Sequence, residues 1–183
     1  MESSSSAIDA IFLERARYYL GTEYRTKLRA AVEALPAGAL WWRPNDSSNS
    51  VGNLLLHLMG NVRQWIVAAI GGAADSRNRA AEFATRSGPS AAALLADMDR
   101  LLDEVDRILG GLTTASLLER RTIQNRDVAV VEAIFQVVEH FALHLGQIIL
   151  VAKLHAPGAV RFYEDAGGLA HPIWKQMIRT ARR

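Results

Sequence analysis

Apolar residues recur every three or four positions along four long segments of the chain, which is the spacing of helices that bury one face. The segments cover residues 8–35, 50–70, 90–109 and 128–154, and prolines or glycines follow each of them. Very little of the chain alternates apolar and polar residues as a half-buried strand does. The pattern therefore predicts an all-α fold, a four-helix bundle formed by a single domain over residues 1–183.

The segments between these helices carry weaker patterns. Residues 73–88 are mixed and polar, and we interpret them as a mobile connection. Residues 111–127 have too few helical signals and are expected to be extended or irregular. The chain closes with a loop and a short basic helix, "IWKQMIRTARR".

The composition excludes several classes of protein. The chain has 183 residues, 50% of them hydrophobic, which is enough for one core, and it has no cysteine for a disulfide, a thiolate ligand or a nucleophile. The formal net charge of +2 does not predict a nucleic-acid partner, and we interpret the basic tail as a solvated helix end; it contains Arg179, Arg182 and Arg183. Neither a signal peptide nor a membrane span is evident, so a cytoplasmic protein is expected.

Two of the predicted helices are apolar around most of their circumference, and each has one narrow polar strip without a formal charge. The strip of the second helix holds Asn53, His57, Gly60, Asn61 and Gln64. The strip of the fourth helix holds Gln136, His140, His144 and Gln147. A solvated face usually carries lysine and glutamate, so uncharged strips on buried helices indicate an internal cavity or cleft.

Three of the five histidines lie on these strips. His140 and His144 are four residues apart, so their rings are stacked about 6 Å apart and can reach one metal ion. His57 is the natural third ligand. Taken alone, a histidine pair at this spacing is more often a hydrogen-bonded core or rim pair, and that alternative stays open. The metalloprotease helix motif is excluded, because Phe141 stands where that motif has its glutamate.

The stretches "LWWRPNDSSNSVGNLLLHLMGNVRQWI" and "VAVVEAIFQVVEHFALHLGQIILVAKL" resemble the DinB-like family of damage-inducible bacterial proteins. The resemblance implies a bundle with up-down-down-up connections, a homodimer, and a divalent ion held by three histidines, here His57, His140 and His144. Relatives include transferases that use small thiols such as bacillithiol or mycothiol. Many members have a basic or polar residue after the last metal histidine, where this chain has Leu145.

Three neutral imidazoles leave a divalent ion its full charge and an open position, which is the arrangement of a catalytic site. Imidazole suits several metals, and we expect zinc or nickel. Four polar residues of the strips are expected to hydrogen-bond the metal ligands or to orient the substrate, unless they are ordinary buried hydrogen-bonding partners: Asn61, Gln64, Gln136 and Gln147. No catalytic residue and no further cofactor are assigned.

The leading hypothesis is a metal-dependent enzyme, a small-thiol-dependent S-transferase, in which the ion lowers the pKa of a thiol or of a water. Its partners would be a small thiol and an electrophile, with no nucleic acid and no membrane. The alternatives are a non-catalytic metal- or ligand-binding stress-response module, a metal-dependent hydrolase, and a metal-free helical dimer.

Overall fold

The fold was analysed in a computed structural model, which describes residues 2–180 and the side chains of residues 7–178. The side chains of the predicted basic helix end, Arg179, Arg182 and Arg183, lie outside this part. The described chain is mostly helical, as the hydrophobic pattern predicts. It also contains two antiparallel hairpins, so the prediction of an all-α fold is correct only for the main body.

The first predicted helix is continuous but changes its winding. Helix α1 (Glu2–Tyr18) passes through a π-helical segment (Tyr19–Tyr24) into helix α2 (Arg25–Glu33). The following 3₁₀ turn, Ala39–Trp41, begins after Gly38, whose φ of 86° is in the left-handed region. Glycine adopts this conformation without steric cost, so it lets the chain leave the helix sharply.

The second predicted helix is α3 (Val51–Val62), which continues into a π-helical segment, Arg63–Ala68. Ser50 caps its first turn. The Ser50 hydroxyl accepts from the Asn53 backbone N–H at 3.1 Å, and the Asn53 side chain returns a bond to the Ser50 backbone. This reciprocal cap satisfies amide groups that a buried helix start would leave unpaired.

Helix α4 (Arg79–Ala84) lies inside the segment for which we predicted a mobile connection. Asn78 caps it by accepting from the Ala81 N–H at 3.1 Å, and Glu82 is buried. Helix α5 (Ala91–Gly110) follows, capped by Ser90. The short α4 was missed because six residues are too few to display a helical period.

A short helix and a hairpin precede the longest helix. Helix α6 (Thr114–Leu118) leads into strands β1 (Arg120–Ile123) and β2 (Arg126–Ala129) and then into helix α7 (Val130–His155). The turn residues Gln124 and Asn125 have φ of 51° and 61°, the conformation that a two-residue hairpin loop needs. The extended structure predicted for residues 111–127 is therefore correct for the two strands, whereas the short helix α6 in the same region was missed.

The chain ends in a second hairpin, β3 (Tyr163–Ala166) and β4 (Leu169–Pro172), followed by helix α8 (Trp174–Thr180). In the main body, α3 contacts both α5 and α7, while α2 contacts α7 and α5. Their buried apolar side chains form one core cluster. The up-down-down-up order of these helices stays a prediction.

Helix α7 is the one described helix that is long and apolar enough to cross a membrane, with a mean hydropathy of 1.5. The sequence analysis expected no evident membrane span, and by length and composition α7 does not meet that expectation. The central helix of a bundle meets the same criterion, and eight residues of α7 between Val130 and Ala152 are buried. The match alone therefore does not indicate a membrane.

Gly52 allows the Trp41 ring to pack directly on α3, because a β-carbon there would lie 2.6 Å from two ring carbons. We expect Gly52→Ala to lower the free energy of unfolding by about 1–3 kcal/mol in urea denaturation, since the ring must move. Gly146→Ala on α7 is the matched control. Its added methyl group meets no atom within 4 Å, so it should stabilise the helix by up to ~1 kcal/mol. Equal stabilisation by both changes would contradict the packing role of Gly52.

Candidate metal centre

The three histidines that the sequence analysis selected lie together between α3 and α7. One nitrogen atom from each of His57, His140 and His144 lies within 4.8 Å of those of the other two. Nε2 of His140 is 3.0 Å from Nε2 of His57. The ring centroids of His140 and His144 are 4.5 Å apart, as expected for neighbours one turn apart on a helix.

Contacts at the helix ends explain why the two strips meet. The Gln124 side chain, in the turn before α7, donates to Gln64 at the end of α3 at 2.8 Å. Arg121 of β1 donates from Nε to the carbonyl of Ala69 at 3.0 Å. The end of the second predicted helix thus lies beside the start of α7, and the two helices run in opposite directions past each other.

The three rings differ in burial. The His57 residue is only 4% exposed, whereas His140 and His144 are half-buried. Burial, followed by the charges of the other histidines and of Arg77 and Arg79, lowers the pKa of His140 from 6.5 to about 4. Burial also lowers the pKa of His144. Both rings are therefore neutral at pH 7, which is the form that binds a metal.

His57 contacts a buried ion pair that the sequence analysis missed. Oε2 of Glu82 lies 2.8 Å from Nδ1 of His57, and Arg77 donates from Nε to Oε1 of Glu82 at 2.8 Å. Burial alone would raise the pKa of Glu82, but the hydrogen bonds from His57 and Arg77 lower it. Nη2 of Arg77 also lies 3.1 Å from Nδ1 of His57, but it donates to Oε2 of Glu82 at 3.0 Å. The carboxylate is ionised and can only accept, so Nδ1 of His57 carries the proton of the shorter contact and, in the neutral ring, Nε2 presents a lone pair.

A hydrogen bond at Nδ1 also determines the tautomer of His144. Nδ1 of His144 donates to Oε1 of Gln147 at 2.7 Å, which leaves its Nε2 unprotonated. Gln147 is thus in contact with one of the three histidines, while its role in orienting a metal ligand stays a prediction. Gln64 instead contacts Arg77, whose Nη1 donates to it at 3.0 Å, and Asp75, to which it donates at 2.8 Å.

The remaining two polar residues of the strips have buried oxygens without a partner among the described residues. These are Oδ1 of Asn61, on a residue 4% exposed, and Oε1 of Gln136. Asn61 follows His57 by one helical turn, and Gln136 precedes His140 by one turn. Unsatisfied buried acceptors are uncommon, and here both lie next to the histidine cluster.

A signal for the missed ion pair was present in the sequence. Gly60 stands on the polar strip of a helix that is otherwise well packed, and a β-carbon there would overlap Oε1 of Glu82. A glycine inside a buried helix indicates that another group approaches the backbone closely. The sequence alone did not show that the approaching group is a carboxylate 22 residues further along the chain.

The donor set fits a divalent ion. Imidazole bonds of about 2.0–2.1 Å in tetrahedral geometry place ligand nitrogens about 3.3 Å apart. This distance lies between the 3.0 Å that separates Nε2 of His57 from Nε2 of His140 and the 4.8 Å within which all three ligand nitrogens lie. His140 and His144 are neutral at pH 7, and His57 and His144 each have Nδ1 hydrogen-bonded to an outer acceptor.

The lowered pKa of His140 predicts a pH-dependent stability of the metal-free protein. The ring binds a proton near pH 6.5 when unfolded and near pH 4 when folded, so the unfolded state binds more protons between these values. The free energy of unfolding should therefore decrease as the pH falls through this window, measured by urea denaturation. His140→Gln should flatten the dependence. An identical slope in the variant would contradict the assignment.

Comparison with known proteins supports the fold. The chain has a DinB-like protein, YjoA of Bacillus subtilis, as a similar solved structure, with 17% sequence identity and a TM-score of 0.61. The match covers 82% of this chain and 96% of that chain, and at this identity it shows the fold alone. No curated protein sequence matches. A family model described as a protein of unknown function, DUF1572, matches residues 8–161. The chain therefore has a DinB-like fold and belongs to the DUF1572 family.

Proposed function

We propose that this protein is a metal-dependent enzyme that holds one divalent ion, zinc or nickel, on His57, His140 and His144. The observation that carries the proposal is the meeting of three imidazoles whose nitrogens lie within 4.8 Å of one another. Two of them have Nδ1 bonded to an outer acceptor, which directs Nε2 into the cluster. Metal-binding histidines commonly have such an outer partner.

The reaction that we propose is S-transfer from a small thiol to an electrophile. When bound, the ion supplies a Lewis acid that lowers the pKa of a thiol, or of a water, at its open position. The chain has no cysteine, so the sulfur must arrive with the substrate. The half-buried rings of His140 and His144 leave one side of the cluster accessible to such a molecule.

Gln136 has a specific role in this proposal. Because Nε2 of His57 presents a lone pair, Nε2 of His140 carries the hydrogen of their 3.0 Å contact. Metal binding requires that proton to leave Nε2, and the neutral ring then carries it on Nδ1. Oε1 of Gln136, buried and unpartnered one turn earlier, is the acceptor that we assign to Nδ1.

Asn61 and Gln64 receive different roles. The unpartnered Oδ1 of Asn61 can accept from an N–H or O–H group of the substrate, and its position one turn from His57 supports this. Gln64 contacts Arg77 and Asp75, so we assign it to the support of the buried ion pair. None of these residues is proposed to transfer a proton.

We also propose that the protein forms a homodimer through α7. Three large apolar side chains are exposed on one face of this helix: Leu143 by 55%, Leu150 by 59% and Leu154 by 66%. Exposed apolar residues that share a face are typical of protein interfaces, whereas isolated ones are not. A second copy of α7 presents the same surface and would form a two-fold symmetric contact.

The metal site predicts a defined stoichiometry. After incubation with zinc or nickel and removal of excess ion, elemental mass spectrometry should find about one equivalent in the untagged wild-type protein, since three ligands converge on one position. His140→Ala and His144→Ala should each reduce the retained metal to near zero at the same protein concentration. His171→Ala is the control, because this exposed histidine of β4 lies outside the cluster.

Two results would contradict parts of the proposal. Absence of stoichiometric metal in the wild type, with either ion, would overturn the metal site. Retained metal whose spectrum does not change on addition of small thiols, tested with the cobalt-substituted protein, would favour a non-catalytic metal-binding module over a thiol transferase.

The proposed interface predicts a change in mass. Wild-type protein should sediment as a dimer in analytical ultracentrifugation, and Leu150→Glu should sediment as a monomer, because a charge would be buried at the contact. Leu118→Glu provides the control, since Leu118 on α6 is 72% exposed and outside α7. A monomeric wild type, or a dimeric Leu150→Glu protein, would reject α7 as the interface.

A further inference from the structure

The buried carboxylate beside His57 comes from outside the long helices. Glu82 is part of the short α4, yet its side chain is only 9% exposed, and that of Arg77 only 5%. Arg77 donates to both carboxylate oxygens, at 2.8 Å to Oε1 and 3.0 Å to Oε2. Oε2 is also the atom that faces Nδ1 of His57. Two groups therefore hold this carboxylate in one orientation.

Helix α4 is itself docked on α3 by polar side chains. Asn53 donates from Nδ2 to the carbonyls of Glu82 and Thr85, both at 2.8 Å. Arg43, in the Trp-Arg-Pro loop, donates to Oδ1 of Asn53 at 2.7 Å and to the carbonyl of Phe83 at 3.1 Å. These bonds satisfy the last carbonyls of α4, which a helix end leaves without partners.

Two side chains of α4 contact the histidine directly. The Phe83 ring packs against the His57 ring with centroids 4.6 Å apart. Gly60 leaves the space that the carboxylate occupies, because a β-carbon there would overlap Oε1 of Glu82. The position of the His57 ring is thus determined by α4 on two sides, through Phe83 and Glu82.

We infer that Glu82, clamped by Arg77 and carried on the docked helix α4, is a positioning residue that keeps the proton of His57 on Nδ1. Its negative charge also makes Nε2 a stronger donor to a metal. The inference rests on the proposed metal site, but it concerns residues that the sequence patterns and the family resemblance leave without a role. The Trp-Arg-Pro loop gains a function here, because Arg43 holds the helix that carries the carboxylate.

The competing explanation is structural. A buried arginine and glutamate must be paired whatever their neighbours do, since removing either partner leaves an uncompensated charge. In that case the contact with His57 would have no effect on metal binding. The two explanations make different predictions for variants of Glu82. If Glu82 positions His57, its replacement changes the tautomer of His57; if the ion pair is only structural, the tautomer stays the same.

Glu82→Gln separates them, because it keeps the shape of the side chain and changes its hydrogen-bonding groups. The amide oxygen should take the place of Oε1, to which Nε of Arg77 donates at 2.8 Å, and the amide N–H₂ should take the place of Oε2. Nδ1 of His57 then faces two donors, the amide N–H₂ and Nη2 of Arg77, which lies 3.1 Å from Nδ1 and can turn to it from Oε2. Nδ1 of His57 must then accept, and the proton moves to Nε2. We expect nitrogen-15 NMR of the metal-free protein to report protonated Nδ1 in the wild type and protonated Nε2 in Glu82→Gln.

The same variant should bind metal more weakly. We expect the dissociation constant for Co²⁺, measured by competition with a chromophoric chelator, to increase by about 10- to 100-fold, the effect usual for loss of an outer partner of a metal-binding histidine. Gly60→Ala should weaken binding in the same direction without altering any charge, because its methyl group displaces the carboxylate. This second variant keeps the test valid if Glu82→Gln fails to fold.

Asp75→Asn is the matched control. It makes the same carboxylate-to-amide change in the same network, where Asp75 contacts Gln64 and the Arg77 backbone but no histidine. It should leave the His57 tautomer unchanged and the Co²⁺ affinity within about twofold of the wild type, since metal ligands respond mainly to their own outer partners.

The outcomes distinguish the inference from the proposed function. Wild-type protein that does not bind Co²⁺ would overturn the metal site and, with it, the inference. Wild-type binding, together with an unchanged tautomer and unchanged affinity in both Glu82→Gln and Gly60→Ala, would leave the metal site intact and reject the positioning role of Glu82.

Discussion

Three imidazoles share one space between two largely apolar helices, and the surrounding residues hold them there. Buried polar atoms of this kind need hydrogen-bonding partners. Burial lowers the pKa of His140 to about 4, so its ring is neutral at pH values well above 4. Glu82 and Gln147 supply acceptors to the other two rings. In the neutral rings of His57 and His144, these bonds leave the lone pair on Nε2.

The three histidines of the cluster have different surroundings, and the difference is suited to different chemical roles. His57 is enclosed by α4, with Phe83 against its ring and an ionised carboxylate at Nδ1. His140 and His144 lie on the more accessible side, and the outer partner of His144 is the neutral amide of Gln147. One ligand is therefore held rigidly by charged and packed neighbours, while the other two border the space that a substrate would enter. In the site that we propose, such an arrangement would combine a preorganised metal position with an open coordination site.

The sequence predicted the helices that are long enough to show a clear hydrophobic period. The four main helices, the two uncharged strips and the three histidines follow from spacing alone, because every residue of one strip lies on the same helix face. The contact between Gln147 and His144 was also accessible, since the two residues are three apart on α7. Local geometry was sufficient in each of these cases.

The missed features depend on tertiary contacts or on very short elements. Glu82 is 25 residues from His57 and lies on a helix of six residues, so no period connects them. The β1–β2 hairpin depends on left-handed conformations at Gln124 and Asn125 that the composition of the segment does not require. The π-helical segments Tyr19–Tyr24 and Arg63–Ala68 do not change the hydrophobic pattern enough to be recognised. Docking, rather than propensity, determines these parts of the structure.

X-ray absorption spectroscopy of the zinc-loaded wild-type protein is the most direct test of the metal centre. The edge region and the extended fine structure should report three imidazole nitrogens at about 2.0–2.1 Å, with multiple scattering from their rings, and one light-atom ligand that a small thiol replaces with sulfur at about 2.3 Å. A first shell without imidazole scattering, or one closed by four protein ligands and unaffected by thiol, would contradict an open three-histidine site.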